Sequence, residues 1–490
     1  MQSLKRKIPT EVLTITKTLE NASFEAYIVG GCIRDLLIEG EPKDWDITTN
    51  ATPKDIQSLF EKTFYENEYG TVGVVTKSDD PRIKVVEVTP YRLEGKYSDA
   101  RRPDTVVFSQ KLEDDLKRRD FTINAIAYSP AQNKIVDLYG GIKDIKDNVV
   151  RAVGDPSERF SEDALRILRA IRISAELNFT IEDATRSAMT RNVSQLGRIS
   201  RERIRDEFIR ILMSPKPMKA LILAHTIGAL KYISPDIEAG VGVEQNQAHT
   251  YDVFEHSIRA LQHAADKGWP LEVRLAALFH DVGKPKSRRW GEEKGDWTFH
   301  GHEVISAKIT QKALENMAFA RETIDKVVKL VRWHMFFSDP DKVTLSAVRR
   351  IVSNVSRENI WDLINLRICD RIGTGRPKEQ PFRLRKYQSM IEQALRDPIS
   401  VSMLAVDGKK VMDISGEKPG PRIGWMLHAL LEEVLDDPTR NSEEYLRNRI
   451  LLISRLSDRE LRALGEEGKE RKSEEEEKDI KKIRQKYFVE

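Results

Sequence analysis

The sequence predicts an α/β unit with a mixed sheet at its start, followed by a remainder that is all-α. Short apolar runs alternate with helical stretches from Ala26 to about Tyr128. Strand signals nearly vanish from Asp155 onward, where helical periodicity dominates. A chain of 490 residues is too long for one hydrophobic core, so several domains are expected.

Composition narrows the class of protein. Hydrophobic residues make up 40% and charged residues 32%, as in ordinary soluble globular proteins. No apolar run approaches the ~20 residues that a membrane helix needs, and the basic N-terminus lacks the apolar segment of a secretory signal. With only Cys32 and Cys369 as cysteines, we expect no disulfide framework and a cytoplasmic location.

A net charge of +3 neither requires nor excludes a nucleic-acid partner, because RNA binding needs a local basic face. Basic residues do cluster in two places: Arg101, Arg102, Lys117, Arg118 and Arg119, and then Arg166, Arg169 and Arg172. Each cluster is also compatible with a solvated helix face, although the spacing of three in the second puts its members on one helix side.

The α/β unit is predicted to open with a helix over residues 1–22. Four strands are then expected in the segments AYIVGG, WDIT, TVGVVT and IKVVEVTPY, with a helix from Pro53 to Phe64 between the second and third. Further on, SEDALRILRAIRISAEL predicts a single amphipathic helix with Ser161 as its N-cap.

The segment from Ala26 to Thr49 carries the first functional signal. A strand ends at Gly30 and Gly31, and a helix begins near Ile33. Glycines let a backbone approach phosphates, free N–H groups at a helix start favour anions, and Arg34 adds a charge-assisted donor. A glycine pair alone is a weak signal, since most such pairs are turns.

Asp44 and Asp46 strengthen that signal. On a strand, residues two apart point to one face, so the two carboxylates are expected to lie together and to bind Mg²⁺ with the phosphates of a substrate. The metal would activate an attacking 3′-hydroxyl and stabilise charge on the α-phosphate. Glu87, on a neighbouring strand, is a candidate third carboxylate.

Five segments in order resemble the motifs of the class II tRNA nucleotidyltransferase and bacterial poly(A) polymerase superfamily. They are GGCIRD with DWDI (motif A), RRDFTINAIAY (B), DLYGGIKDI (C), EDALR (D) and ISRERIRDEF (E). The resemblance covers about the first 235 residues. It implies a nucleotidyltransferase head and a helical neck, with tRNA, CTP and ATP as partners.

The resemblance also implies a role for each matching residue. Asp44 and Asp46 would hold the metal, and Gly31 and Arg34 would contact the incoming nucleotide. The remaining positions would bind nucleotide and ribose (Arg119, Asp120), read the base edge without a template (Asp163, Arg166) and contact phosphate (Arg169, Arg172).

The stretch from Tyr91 to Phe108 resembles a flexible loop found in family members that add A. Its presence argues against an enzyme restricted to CC addition. It leaves open full CCA addition, A-only addition beside a CC-adding partner, and poly(A) polymerase activity.

The second half carries a recurring set of His and Asp residues. His256, the adjacent pair His280 and Asp281, and Asp370 resemble the HD metallophosphohydrolase superfamily, with His302 and His334 recurring between them. Imidazole and carboxylate ligands suit a transition metal. This leaves a second class of function open, a phosphohydrolase acting on RNA ends. His249 and His300 are accessory candidates at most.

These signals predict five domains and leave the oligomeric state open. The predicted domains are a head (1–150), a helical neck that binds base and RNA (151–240), an HD-type helical body (241–380), a C-terminal helical tRNA-binding region (381–465) and a charged tail (466–490).

Overall fold

The computed structural model describes residues 2–65, 70–94, 106–247, 250–293, 295–336 and 343–464. The chain divides into two compact units, Met1–Pro235 and Asp236–Glu490. The predicted tail (466–490) and the middle of the predicted flexible loop, including Arg101 and Arg102, lie outside the described residues. Among the residues described, every helix is too short or too polar to span a bilayer.

A seven-stranded sheet forms the centre of the first unit, and its mixed character is as predicted, although only four of its strands were. The strands of this unit are β1 (Ala26–Val29), β2 (Asp46–Thr49), β3 (Thr63–Tyr65), β4 (Val72–Val75), β5 (Val85–Pro90), β6 (Arg92–Glu94), β7 (Val106–Phe108), β8 (Ile126–Ser129), β9 (Lys134–Asp137), β10 (Val149–Val150) and β11 (Thr180–Ile181). The order in the large sheet is β3-β4-β5-β2-β1-β8-β9.

Strand pairing in this sheet fixes the position of the acidic residues. β2 pairs with β5 in parallel, whereas the other neighbouring strands pair antiparallel. The register places Asp46 beside Glu87 on one side and opposite Val29 on the other. Val29 and Ala127 pack with Tyr91 and Leu116 in a buried cluster that supports this end of β1.

Helices surround the sheet and then continue alone. In the first unit they are α1 (Gln2–Lys7), α2 (Thr10–Asn21), α3 (Gly31–Leu37), α4 (Pro53–Leu59), α5 (Leu112–Lys117), α6 (Gly141–Lys146), α7 (Pro156–Glu162), α8 (Leu165–Leu177), α9 (Asp183–Asn192), α10 (Arg201–Met213), α11 (Pro217–Thr226) and α12 (Leu230–Ile233).

Two element predictions for the α/β unit are wrong in their bounds. The opening helix is divided into α1 and α2 next to Pro9, whose ring cannot continue a helix from the preceding turn. The helix that starts at Pro53 stops at Leu59, and its predicted last residues belong to β3. The start is specified by a capping box between Thr52 and Asp55, whereas Thr63–Tyr65 consists of residues that favour strands.

The second unit is largely helical, as predicted. Its helices are α13 (Pro235–Glu238, at the boundary), α14 (Val253–Asp266), α15 (Leu271–Phe279), α16 (Lys284–Ser287), α17 (His302–Asn316), α18 (Arg321–Trp333), α19 (Leu345–Val355), α20 (Ile360–Gly373), α21 (Phe382–Ala394), α22 (Gly408–Ser415), α23 (Pro421–Asp436) and α24 (Glu443–Ile453). Between α16 and α17 lies an antiparallel hairpin of β12 (Arg289–Gly291) and β13 (Asp296–Thr298). This hairpin was not predicted from the sequence.

Candidate functional site

A cavity of about 290 Å³ lies in the first unit. It brings together residues from four separate segments of the chain, and eight of the predicted site residues line it: Gly30, Gly31, Asp46, Arg119, Asp120, Asp163, Arg166 and Arg169. Four other residues complete the lining: Arg118, Asn124, Leu165 and Arg203. The cavity is therefore strongly charged, with arginines and carboxylates facing one another.

Gly30 brings the backbone close to two charged side chains of this cavity. It connects β1 to α3 with a φ of +90°, which a residue with a side chain rarely adopts. A Cβ atom at this position would lie 3.1 Å from Asp46 Oδ2 and 3.2 Å from Arg119 Nη1. Glycine at this position thus leaves the space between the acid and the guanidinium open.

The ionised form of Asp46 is less favourable, relative to the protonated form, than that of an aspartate in water. Burial, together with the negative charge of Asp44, raises the pKa of Asp46 to about 6, although Arg119 opposes the shift. Asp44 is exposed and precedes β2, so the predicted alternation along a strand does not apply to it. Glu87 is an exposed neighbour of Asp46 on β5. A bound cation would relieve this accumulation of negative charge.

The two neighbouring arginines in motif B are held by one buried carboxylate. Asp115 on α5 contacts Arg118 at 2.5 Å and Arg119 at 3.0 Å, and its side chain is fully buried. Burial alone would raise the pKa of Asp115, but the two guanidinium groups outweigh this effect and lower it. Asp115 therefore positions Arg118 and Arg119 at the wall of the cavity.

Replacing Asp115 with Asn is expected to reduce the free energy of unfolding by about 3 kcal/mol at pH 7, because the guanidinium groups of Arg118 and Arg119, whose side chains are only 18% and 15% exposed, lose their buried counter-charge. A carboxylate with a lowered folded-state pKa stabilises the fold above its unfolded pKa, near 4, and this contribution disappears as the pH falls. Urea unfolding of both proteins from pH 7 to pH 3 tests this. A difference in stability that does not shrink below pH 4 would contradict the ion-pair explanation.

Asp120 anchors a second arginine. Its Oδ2 accepts hydrogen bonds from Arg169 Nε at 2.8 Å and Nη2 at 2.6 Å, and its Oδ1 accepts from the side chain of Asn124 at 3.1 Å. Asn124 Oδ1 in turn accepts from Arg34 Nη1 at 2.8 Å. Arg34 is thus directed toward Asn124 and Asp35, and it does not line the cavity itself.

The predicted single helix around motif D is broken at Asp163. α7 ends at Glu162, α8 begins at Leu165, and Asp163 has an extended backbone between them. Ser161 lies inside α7, so its prediction as the N-cap is wrong. The break is stabilised by Asp163 itself, whose Oδ1 accepts from the backbone N–H of Leu165 at 3.0 Å. It turns the carboxylate into the cavity.

Asp163 and Arg166, the predicted base-reading pair, are both held by neighbours. Arg203 on α10 contacts Asp163 at 2.7 Å. Arg166 donates to Glu162 Oε2 at 2.6 Å and to the backbone carbonyl of Arg118 at 3.0 Å. These contacts fix the orientation of both side chains before any ligand binds.

Arg172 differs from the other predicted arginines. It is 3% exposed, and it contacts Glu207 at 2.6 Å and Glu176 at 2.7 Å. It does not line the cavity. Its contact with Glu207 indicates that it stabilises the packing of α8 against α10, whereas Arg166 and Arg169 on the same helix face the cavity.

Sequence reasoning missed Asn124 and Arg203 as wall residues. Both lie inside quoted segments, Asn124 in RRDFTINAIAY and Arg203 in ISRERIRDEF. The motif resemblance therefore already included both residues. Asn124 contacts Arg34, 90 positions away, and Arg203 contacts Asp163, 40 positions away, and no local sequence pattern connects either pair.

A second group of predicted residues meets in the second unit. His256 comes from α14, Asp370 from α20, and His280 and Asp281 from the end of α15. His256 Nε2 lies 3.2 Å from Asp281 Oδ2 and 3.5 Å from Asp370 Oδ1. His256, His280 and Asp370 present ligand atoms that all lie within 4.8 Å of one another.

Electrostatics in this group favour charged side chains. Burial lowers the pKa of His280, but Asp281 and Asp370 reverse this effect and raise it to about 10. Burial would raise the pKa of Asp281, yet His280 and Lys284 lower it well below its ordinary value. Once a metal displaces the proton of His280, these imidazoles and ionised carboxylates have the donor set of a transition-metal site.

The remaining histidines of this half have different positions. His302 begins α17 and His334 follows α18, and both belong to a second set of close ligand atoms with Asp281. His300 lines the adjacent cavity without joining either set, and His249 lies outside the described residues. Gly283 allows α17 to approach, since a Cβ there would lie 2.6 Å from the carbonyl oxygen of His302.

Three family models match the chain in succession. They are the poly A polymerase head domain over residues 26–151, the probable RNA and SrmB-binding site of polymerase A over residues 178–240, and the HD domain over residues 253–371. The order agrees with the resemblances described for the sequence.

Two relatives and one solved structure are informative. The CCA-adding enzyme of Lactobacillus johnsonii is 41% identical over 439 residues, which is 89% of this chain and 95% of the relative. That of Lactobacillus helveticus is 45% identical over 211 residues, 43% of this chain, so the match spans about half (51%) of the relative's length. The Bacillus stearothermophilus CCA-adding enzyme in complex with CTP is 27% identical with a TM-score of 0.68, covering 91% of this chain and 97% of that one.

Proposed function

Because the chain belongs to the bacterial class II CCA-adding enzymes of the poly(A) polymerase family and carries an HD domain, we propose that it adds C, C and A to the 3′ end of tRNA. CTP and ATP are the nucleotide substrates. The terminal 3′-hydroxyl of the tRNA attacks the α-phosphorus, the bond to pyrophosphate breaks, and pyrophosphate leaves. The observation that supports this most is the cavity that joins Gly30, Asp46 and Asp163.

Asp44 and Asp46 hold Mg²⁺, with Glu87 nearby on β5. The residues fit a hard divalent cation, because Asp46 is a partly buried carboxylate next to a second acidic residue and its raised pKa reflects the cost of its charge. When bound, the ion lowers the pKa of the attacking hydroxyl and offsets negative charge that develops on the phosphate. Because Gly30 has no Cβ between the backbone and the side chains of Asp46 and Arg119, the triphosphate can approach the backbone there.

The other cavity residues bind and orient the nucleotide. Arg119 and Arg169, positioned by Asp115 and Asp120, face the phosphates and ribose. Asp163 accepts a hydrogen bond from the exocyclic amino group that C and A share, and Arg166 donates to an acceptor on the same base edge. Because Arg203 and Glu162 hold this pair in place, selection needs no template base.

The tRNA acceptor end lies along basic helical surfaces of the proposed neck (151–240) and C-terminal region (381–465), recognised by shape and backbone. The proposed head (1–150) and HD body (241–380) complete this organisation, and the charged tail (466–490) follows. We place the activity in the cytoplasm, a location that two buried free thiols, Cys32 and Cys369, fit.

The HD cluster supports a second candidate function. His256, His280, Asp281 and Asp370 hold a transition metal, and a cavity of about 390 Å³ adjoins them. Four cationic side chains line that cavity: Lys284, Arg367, Arg371 and Arg376. Lys284 and Arg367 contact the cluster's own carboxylates, Asp281 and Asp370, at 2.6 Å each. A metal beside Arg371 and Arg376 suits hydrolysis of a phosphate ester at an RNA end.

Incubating the purified chain with tRNA that ends at its discriminator base, CTP and ATP is expected to extend the tRNA by C, C and A and then stop. With CTP alone, we expect extension by two residues, because the proposed product has two C residues before the A. Gel resolution of the products measures this. Absence of C incorporation would contradict CCA addition and leave A-only addition as the remaining activity. A long A tract would indicate a poly(A) polymerase.

A further inference from the structure

Two arginines from the segment around Asp163 bind consecutive backbone carbonyl groups at the end of α5. Arg159 Nη1 donates to the carbonyl oxygen of Lys117 at 3.2 Å, and Arg166 Nη2 donates to that of Arg118 at 3.0 Å. The last carbonyl groups of a helix lack partners within the helix, and a cation there also interacts favourably with the helix dipole. The end of α5 is therefore held by side chains from the segment that carries Asp163.

Glu162 joins these two arginines to each other. Its Oε1 accepts from Arg159 Nη2 at 2.5 Å, and its Oε2 accepts from Arg166 Nη1 at 2.6 Å. The side chains of Arg159, Glu162 and Arg166 are 12%, 23% and 11% exposed, so salt screens their charges only weakly. These three side chains and the two carbonyl groups form what we call the α5 bridge.

The α5 bridge connects two parts of the proposed nucleotide site. At one end, α5 carries Asp115, which holds Arg119 at the cavity wall. At the other end, Glu162 directly precedes Asp163, whose carboxylate also lines the cavity. The residues proposed to bind phosphate and ribose are thereby tied to the residues proposed to read the base.

We propose that Arg159 is a positioning residue for nucleotide addition, which sets the distance between the base-reading pair and the arginines held by α5. The inference rests on the nucleotide site proposed above. Arg159 does not line the cavity, so it acts through Glu162 and the end of α5 and not by touching the nucleotide. A ligand that spans two correctly spaced subsites binds more tightly than either of its parts, because its second contact is intramolecular.

Comparing two ligands of Arg159→Ala tests this role. The probes are CTP and inorganic tripolyphosphate, which has the phosphates but no base, each with Mg²⁺ in excess and tRNA at saturation. We expect the KM for CTP in the addition of C to rise about 10-fold, because CTP must span both subsites. The inhibition constant of tripolyphosphate against CTP should stay nearly unchanged, since this ligand needs only the phosphate subsite.

Two further variants complete the comparison. Arg82→Ala is the matched control, because Arg82 also joins two partners, Asp80 at 2.8 Å and Glu41 at 3.0 Å, but its side chain is 49% exposed. It should leave both constants nearly unchanged. Arg159→Lys keeps the charge but presents it on a single nitrogen, so we expect a KM for CTP between those of the parent and Arg159→Ala. This milder change carries the test if Arg159→Ala does not fold.

The possible results separate this role from the proposed function. An equal rise of both constants would overturn the positioning role, because it would show damage to the whole site. An unchanged KM for CTP in Arg159→Ala, or in Arg159→Lys where only that variant folds, would also overturn it while leaving CCA addition intact. A parent chain that adds no C would overturn the proposed function and this role with it.

Discussion

Replacing Asp46 with Asn is expected to reduce nucleotide addition by about 10³-fold or more while making the metal-free protein more stable. The loss follows from removal of the carboxylate proposed to hold the catalytic cation, whose contribution would be several kcal/mol of transition-state stabilisation. The gain follows from burial, which raises the pKa of Asp46 to about 6. A neutral side chain there avoids about 1–3 kcal/mol of that cost.

Single-turnover addition of C to tRNA and thermal unfolding in a chelator measure the two effects. Glu41→Gln is a matched control, because Glu41 is also acidic and its side chain is 88% exposed. It should leave both quantities nearly unchanged. Retained addition by Asp46→Asn would refute the metal assignment, and loss of addition together with loss of stability would assign Asp46 a structural role.

Asp163→Asn is expected to change which nucleotide the enzyme selects. The substitution keeps the size of the side chain but replaces one acceptor oxygen by a donor. C and A present an amino group to Asp163, whereas U and G present a carbonyl oxygen at the corresponding position. We expect kcat/KM for CTP and ATP to fall about 10²-fold, and their preference over UTP and GTP to narrow by a similar factor.

The measurement is kcat/KM for each of the four nucleotides on one tRNA primer. Asp183→Asn is the control, since Asp183 also pairs with an arginine, Arg186, but its side chain is 91% exposed. An equal loss for all four nucleotides would show that Asp163 supports the fold of the α7–α8 break and does not read the base.

The sequence allowed much of the head to be predicted. The four strands around the glycine pair and the acidic residues were identified because their apolar runs are short and bounded by breakers. The mixed sheet and the helical remainder are confirmed. β3, β8 and β9 were not predicted, and β3 lies where a helix was expected, because the stop at Leu59 has no glycine or proline to mark it.

In the candidate site, too, local features were predictable from the sequence and long-range contacts were not. Residues within one motif, such as Gly30 and Asp46, were identified from spacing, and the structure places both in one cavity. Contacts between motifs were not predictable, since Asp163 with Arg203 and Asp281 with His302 depend on tertiary packing. The helix break at Asp163 was also not predicted, because the apolar periodicity of the sequence continues through it. The break is stabilised by a hydrogen bond from the backbone N–H of Leu165 to the side chain of Asp163.

The parallel pairing of β2 with β5 has a consequence for the order in which the chain acquires its structure. Asp46 and Glu87 lie 41 positions apart, the same separation as Thr48 and Thr89 in the register. They become neighbours only after the intervening segment has closed into a long loop, which is slow compared with forming local turns. A cation held by Asp46 with Glu87 nearby, as proposed, would therefore bind the completed sheet and not earlier intermediates, so we expect it to slow unfolding more than it speeds refolding. Magnesium at this site would then prolong the lifetime of the folded head without guiding the chain toward it.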